Sequence, residues 1–185
     1  MKKNIVIAIT GASGAIYAQS LIQKLEQSEQ VESLSVVMSD VAKQVWETEI
    51  GIKPNFASKQ YQANDFYAPF ASGSSVQDSM IIIPCTMGTM AKIAIGIADN
   101  LIARAADVCL KEKKQLIIVP RETPFNLIHV RNMEQLILAG AQIIPASPSF
   151  YAKPQSIDEL VSHFTDRILD QLNISNHAYR WGSEK

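Results

Sequence analysis

Charged residues are scarce in this sequence, and their signs nearly cancel. They make up 19% of the 185 residues, and the formal net charge is −1. Proteins that bind nucleic acid or anionic membrane surfaces carry an excess of positive charge. We therefore expect neither nucleic acid nor a membrane among the partners.

Cysteine and histidine are also rare, which limits the metal and thiol chemistry open to the chain. The two cysteines, Cys85 and Cys109, have neither the spacing of a metal site nor that of a disulfide framework. We expect a reducing, cytoplasmic location and no metal. His129 and His163 fall inside helical patterns, and no histidine follows a strand. A Ser-His-Asp set therefore cannot be assembled.

Long apolar runs are missing at the N-terminus. Five strongly apolar residues, 5–9, precede Thr10 and Gly11, which is too short for a signal peptide core or a membrane span. Hydrophobic residues still make up 47% of the chain. Such a composition predicts one domain over residues 1–185, with a large core or with apolar surface covered by other subunits.

What the sequence does contain is a regular alternation of short apolar runs and helical patterns. The runs lie at 5–9, 34–38, 80–83, 116–119 and 143–144. After the first helical pattern, which includes Ile16 to Leu25, others follow at 41–49, 87–110, 124–139 and 157–171. This alternation predicts an α/β fold with an open, doubly wound, mostly parallel sheet. Residues 51–79 break the rhythm and are interpreted as a long irregular loop with a functional or interface role.

The first apolar run leads into a turn of small residues, 10–15. Gly11 lets a ligand approach the backbone, and the amides of the following helix favour a phosphate. Ser13 stands where a helix cap or a phosphate-binding hydroxyl is useful. The full dinucleotide fingerprint is absent, so a tight connection without a ligand stays open.

Residues that follow the other apolar runs are rich in hydroxyl groups. In a parallel sheet these strand ends meet at one edge, where ligands bind. They include Ser39 with Asp40, the segment 84–89, Arg121 with Glu122, and the segment 145–151. Hydroxyls and an arginine suit the phosphate of a cofactor.

Taken together, these segments resemble the UbiX-type flavin prenyltransferases, and the likeness covers nearly the whole chain in order. The strings RETP and FYxxPQS carry it more specifically than the glycine turn does. The matching strings are ITGASGAIYA (9–18), VVMSDVAKQVWETE (36–49), ASGSS (71–75), PCTMGTMAKIAIGIADNLIARAADVCLKEKK (84–114), VPRETPFNLIHVRNM (119–133), GAQIIPASPSFYAKPQS (140–156) and RILDQL (167–172).

The resemblance implies a Rossmann-like three-layer α/β/α domain assembled into a homododecamer, with sites at subunit contacts. It implies transfer of a dimethylallyl group from dimethylallyl monophosphate to reduced FMN, without a metal. The product, prenylated FMN, is the cofactor of UbiD-type aromatic acid decarboxylases in ubiquinone biosynthesis or aromatic acid metabolism. Whether the donor is the monophosphate or the diphosphate stays open.

The resemblance also implies roles for particular residues. Glu49 and Glu122 match acidic positions of the site, with Glu122 handling a proton in ring closure. The prenyl phosphate would be held by Tyr151, Arg167 and, from a neighbouring subunit, Lys111, and the catalytic set would be Glu49, Lys111, Glu122 and Arg167. Trp181, in a tail (173–185) expected to pack on a neighbour, matches an aromatic near the prenyl group. The expected FMN contacts are Gly11, Ala12, Ser13, Ser39, Thr86, Met87, Gly88, Thr89 and Arg121.

Each charged candidate also has an ordinary structural interpretation. Arg121 could belong to a charge cluster at a helix start, and Lys111 could lie on a solvated helix end. Arg167 could be a surface arginine paired with Asp166 or Asp170.

Three other functions compete with the prenyltransferase. The first is an FMN-dependent decarboxylase of the cysteine-decarboxylase type, although those enzymes usually rely on a central histidine. The second is a non-catalytic flavin-binding subunit of a decarboxylase. A nicotinamide dehydrogenase is weaker still, because the central glycine of the fingerprint is missing.

Overall fold

A computed structural model describes residues 2–176, 178–180 and 182 of the chain. Its centre is a six-stranded sheet with the strand order β3-β2-β1-β4-β5-β6, in which every neighbouring pair is parallel. This is the strand order of a doubly wound nucleotide-binding fold. The strands are β1 (Lys3–Ile9), β2 (Val31–Met38), β3 (Lys59–Gln62), β4 (Ser79–Cys85), β5 (Gln115–Pro120) and β6 (Gln142–Ile143).

Helices cover both faces of the sheet and give three layers. One apolar cluster joins α1 and α6 to one face, and a second joins α3, α4 and α5 to the other. The helices are α1 (Ala15–Glu26), α2 (Asp40–Ile50), α3 (Met87–Ala94), α4 (Leu101–Lys111), α5 (Leu127–Leu138) and α6 (Ile157–Gln171), with a short 3-10 helix at Pro69–Ala71. The predicted fold class is confirmed.

The central strands are apolar on both sides because both sides are covered. In β1, Ile5, Ile7 and Ile9 pack into one cluster, whereas Val6 and Ala8 pack into the other. Strands buried on both faces lose the alternation of polar and apolar residues. The continuous apolar runs of β1, β4 and β5 were therefore a sound basis for predicting a parallel sheet.

The helix predicted over 87–110 is wrong as one element, because it is two helices. Helix α3 ends at Ala94, and Gly96 follows with a φ of +76°, a conformation that favours glycine. Helix α4 then starts afresh, because the Asn100 side chain accepts a hydrogen bond from the Ala103 amide (3.0 Å).

The helix predicted over 124–139 starts later than expected, at Leu127. Asn126 accepts a hydrogen bond from the His129 amide (2.9 Å), and the His129 side chain completes a capping box. His129 therefore has a structural role at the start of α5.

The segment 51–79 is not wholly irregular, because it contains the edge strand β3. This strand pairs with β2 alone, with Ser35 opposite Lys59. Its sequence, KQYQ, is polar because one edge and much of its surface face solvent. An edge strand of this kind lacks the apolar run by which the other strands were predicted.

Within the described residues, no helix is both long and apolar enough to cross a membrane.

Candidate flavin site

Backbone hydrogen bonds hold the ends of neighbouring strands side by side. The Ser39 amide donates to Ile9 O (3.1 Å), the Thr10 amide to Pro84 O (3.2 Å), and the Arg121 amide to Cys85 O (3.4 Å). The loops after β1, β2, β4 and β5 therefore share one edge of the sheet. All nine expected flavin contacts lie on these four loops or on the helix starts that follow them.

The turn after β1 is built on two glycines with different tasks. A Cβ on Gly11 would lie 2.4 Å from Val41 Cγ1, so glycine is needed for α2 to pack closely. Gly14 has a φ of +114° and is itself the N-cap of α1, without a side-chain hydrogen bond to the helix. The interpretation of Ser13 as the cap of this helix is therefore wrong.

Glu49, from the last turn of α2, occupies the N-terminus of α1 instead. Its Oε2 atom accepts hydrogen bonds from the Gly14 amide (2.9 Å) and the Ala15 amide (2.8 Å). These are the amides expected to be free for a phosphate, and that expectation is wrong for this pair. A carboxylate stabilises a helix N-terminus by the same charge interaction as a phosphate would.

The surroundings of Glu49 favour its ionised form. Burial by itself would raise the pKa of this carboxyl group. Hydrogen bonds from the Ser13 side chain and from the Gly14 and Ala15 amides, together with the charge of Arg121, hold the pKa below its usual value of 4.5. Glu49 is therefore an anion at neutral pH.

Arg121 joins this group from the end of β5. Its Nε atom donates to the Ser13 carbonyl oxygen (3.0 Å), which ties the loop after β5 to the turn after β1. Glu122 points away to solvent, and its Oε1 atom accepts from the Thr123 amide (3.0 Å). Ser13, Glu49 and Arg121 thus form one cluster, with Glu122 beside it in sequence.

Ser39 and Thr86 are the N-caps of α2 and α3. The Ser39 hydroxyl accepts from the Ala42 amide (3.1 Å), and the Thr86 hydroxyl accepts from the Thr89 amide (3.2 Å) while donating to the Thr89 hydroxyl (3.0 Å). A Cβ placed on Gly88 would meet no atom of the described residues within 4 Å, so the start of α3 is open to a ligand. Two helix N-termini and their hydroxyls suit an anionic cofactor.

Lys111 lies at the opposite edge of the sheet. It ends α4, and β5 begins four residues later at Gln115, whose amide donates to Asp78 O (3.2 Å) just before β4. The six residues of β5 span about 20 Å. Within this chain Lys111 instead pairs with Glu112 (2.8 Å), so its expected role requires a different copy of the chain.

Tyr151 and Arg167 belong to a second group on the outer side of α6. The centres of the Tyr151 and Tyr179 rings lie 5.8 Å apart, and both terminal guanidinium nitrogens of Arg180 donate to the Asp170 carboxylate. Arg167 Nη1 lies 3.6 Å from Asp170 Oδ2, and its side chain is 65% exposed. The surface pair considered for Arg167 is therefore present with Asp170, but the exposed guanidinium has room for a further partner. Trp181 lies outside the described residues.

Arg180 had no place among the sequence-based predictions, and Asp170 appeared there only as a possible surface partner of Arg167. Hydrogen bonding to Arg180 is the largest influence on the Asp170 carboxyl and lowers its pKa. The only signal in the sequence was their charge, which many surface residues share.

The cysteines are structural. Cys85 and Cys109 are buried, and burial raises the pKa of both thiols, that of Cys109 to about 11. A thiol that stays protonated at neutral pH is a poor nucleophile.

Comparisons with known proteins identify the family of the chain. The family model described as Flavoprotein matches residues 1–169. Flavin prenyltransferase LpdB of Lactiplantibacillus plantarum is 50% identical over 182 residues, which cover 96% of this chain and 97% of that protein. The chain belongs to the flavin prenyltransferases of the flavoprotein family.

Solved structures of related proteins support the same assignment. The crystal structure of AnUbiX in complex with FMN and dimethylallyl pyrophosphate has a TM-score of 0.95 at 38% identity and covers all of both chains. A dodecameric FMN-dependent UbiX-like decarboxylase from Escherichia coli O157:H7 has a TM-score of 0.90 at 38% identity, and the match covers 97% of this chain and 100% of that one.

Proposed function

We propose that this protein is a flavin prenyltransferase that transfers a dimethylallyl group from dimethylallyl phosphate to reduced FMN. The observation that carries the proposal is the cluster of Ser13, Glu49 and Arg121 beside the capped starts of α2 and α3. This arrangement occurs in a chain that is similar over its whole length to flavin prenyltransferases.

The residues present fit FMN. Gly11, Ala12 and Ser13 would contact the ligand through their backbone. The hydroxyl groups of Ser39 and Thr89 can donate to polar groups of the ligand, whereas the Thr86 hydroxyl donates to Thr89 and positions it. Met87 is buried in the core, so it would contact FMN through its backbone at the start of α3. Gly88 adds an open surface, and Arg121 adds a positive charge. Reduced FMN supplies the nucleophile, while the protein supplies position and electrostatics.

The two acidic residues have different environments and therefore different roles. Glu49 is held as an anion, so it would stabilise positive charge on the allylic group. Glu122 is exposed and interacts with its neighbour's backbone amide, so it is free to exchange protons with solvent during ring closure.

Binding of the prenyl phosphate requires more than one copy of the chain. We assign the phosphate to Arg167 and Tyr151 together with Lys111 of a neighbouring copy, because the fold places Lys111 at the wrong edge to act in its own subunit. Positive side chains and a phenol stabilise the leaving phosphate. Residues 1–185 would form a single domain, and its tail, residues 173–185, would pack on a neighbouring copy. Trp181 would there approach the prenyl group.

Complementation tests whether Lys111 acts across subunits. Lys111→Ala and Arg121→Ala should each reduce turnover strongly, whereas co-expression of the two variants should restore part of it. Activity returns because some sites then combine a native Arg121 with a native Lys111 from another copy. A mixture as inactive as its components would show that both residues act within one chain. Each inactive variant is also co-expressed with Lys53→Ala, which replaces an exposed lysine. This mixture controls for the level of expression and for the mixing of subunits.

The assembly is proposed to be a homododecamer in the cytoplasm. The unpaired, buried cysteines fit a reducing compartment, and a dodecameric relative has the same fold. The product would be passed to a UbiD-type decarboxylase of aromatic acids in ubiquinone biosynthesis or aromatic acid metabolism.

The function is tested by anaerobic incubation with reduced FMN and dimethylallyl monophosphate, followed by mass spectrometry of the extracted flavin. A flavin heavier by one five-carbon unit is the expected result. Parallel reactions with the diphosphate determine which donor is used. Unmodified flavin with both donors, from protein shown to hold FMN, would overturn the proposal and favour a carrier or a decarboxylase.

A further inference from the structure

Thr10 stands where β1 ends and the flavin turn begins, yet it is 2% exposed and cannot touch a ligand. Its hydroxyl donates to Pro84 O (2.9 Å) and accepts from the Thr86 amide (2.8 Å). A buried hydroxyl that both donates and accepts is fully used, and replacing it leaves its partners unsatisfied.

The position of these bonds is what makes them functional. The regular pairing of β1 with β4 ends at Ala8 and Ile82, and Pro84 has no amide hydrogen to continue it. Beyond that point the two chains separate into the loops that contain Gly11–Ser13 and Thr86–Thr89. The Thr10 backbone amide and hydroxyl therefore connect the two loops where the ladder no longer can.

We propose that Thr10 is a positioning residue that sets the distance between the two flavin-binding loops. Its hydroxyl orients the Thr86 amide, and Thr86 in turn caps α3 through Thr89. The inference rests on the proposed flavin binding by these loops and adds a residue that the flavin does not contact.

The test compares Thr10→Val, Thr10→Ser and Thr165→Val by titration with FMN. Valine keeps the shape of threonine but leaves the Thr86 amide without its acceptor, so the Kd for FMN should rise about tenfold or more. Serine retains the hydroxyl and should bind FMN like the wild type. The KM for the prenyl phosphate should stay near its wild-type value in both variants.

Thr165→Val is the matched control for loss of a buried hydroxyl. Thr165 is 0% exposed, and its hydroxyl donates to Ser162 O (3.0 Å) and lies 3.1 Å from the Ser20 hydroxyl, between α1 and α6. The Thr165→Val variant should lower the midpoint of thermal unfolding, as Thr10→Val does, but should leave the Kd for FMN unchanged. An equal rise in Kd for both valine variants would reduce Thr10 to a structural role and overturn the inference.

The remaining outcomes separate this inference from the proposed function. Wild-type protein that does not bind FMN would overturn the proposed function, and the role of Thr10 with it. Wild-type binding with an unchanged Kd in Thr10→Val would overturn the role of Thr10 alone. If Thr10→Val does not fold, hydrogen exchange at the Thr86 amide of wild type and Thr10→Ser decides, since rapid exchange in the wild type contradicts the proposed bond.

Discussion

Glu49 is the residue whose place in the structure differs most from its sequence-based description. The sequence placed it at the end of a helix, as a candidate acid, and placed the phosphate at the glycine turn. In the fold its carboxylate occupies the amides of that turn, between Ser13 and Arg121. Glu49 therefore matches an acidic position of the family and also caps α1. Both roles depend on the negative charge of its carboxylate.

Glu49→Gln should reveal this charge through the pH dependence of stability. The pKa of Glu49 is lower in the folded protein than the usual value of 4.5. The charged form therefore stabilises the fold fully above pH 4.5, and this contribution is lost as the pH falls through the folded pKa. Urea unfolding should show wild type more stable than Glu49→Gln at pH 7, with the difference shrinking below pH 4.

A matched change on the same helix is Glu47→Gln, because Glu47 is exposed and lies two residues earlier in α2. It should not reproduce the pH-dependent difference. Equal stability of wild type and Glu49→Gln at both pH values would contradict the assigned interaction.

At the scale of elements, the helix starts serve two purposes with the same side chains. Ser39, Thr86, Asn100, Asn126 and Ser156 all cap the helices that follow them. Ser39 and Thr86 lie at the edge where the strands end, whereas Asn100 begins α4, which follows another helix. Helix capping is therefore general in this chain, and position alone distinguishes the two caps assigned to the flavin.

Ser39→Ala and Asn100→Ala separate capping from flavin binding. Each removes one hydrogen bond to a helix amide, from Ala42 (3.1 Å) or Ala103 (3.0 Å), so each should lower the free energy of unfolding by about 1 kcal/mol. Ser39→Ala should also weaken FMN binding, and Asn100→Ala should not. Fluorescence titration with FMN beside chemical denaturation measures both effects. Unaltered FMN affinity in Ser39→Ala would leave that serine with its capping role alone.

At the scale of the whole molecule, α5 exposes apolar side chains that one chain cannot cover. It buries Asn132 and Leu136, while Leu127, Ile128 and Leu138 are 62%, 67% and 81% exposed. Several large apolar side chains exposed on one helix favour contact with another protein surface. The low fraction of charged residues in the sequence thus corresponds to exposed apolar side chains on this helix.

Leu138→Glu should break or shrink the assembly. A charge at this position would have to be buried without a partner in an apolar contact, which is strongly unfavourable. Light scattering after size-exclusion chromatography should show a smaller species than wild type. Turnover should fall as well, because the proposed phosphate site combines residues of two copies. Leu138→Met, which keeps the surface apolar, should assemble normally. An unchanged mass for Leu138→Glu would place the contact on another face.

Local signals in the sequence were enough for the main elements but not for their interruptions. The buried strands β1, β4 and β5 are continuous apolar runs, so their presence and their parallel arrangement could be predicted. Strand β3 and the break after Ala94 were missed because an edge strand has no apolar run and one glycine inside an apolar pattern is a weak signal.

The sequence by itself determined the fold class and the edge of the sheet where the candidate site lies, because burial on both faces and the residues after each strand are local properties. Only the tertiary structure decided which groups meet there. Glu49 reaches α1 and Arg121 reaches Ser13 through separations of 34 or more residues. It also placed Lys111 at the opposite edge, since a crossover helix returns the chain to the start of the next parallel strand.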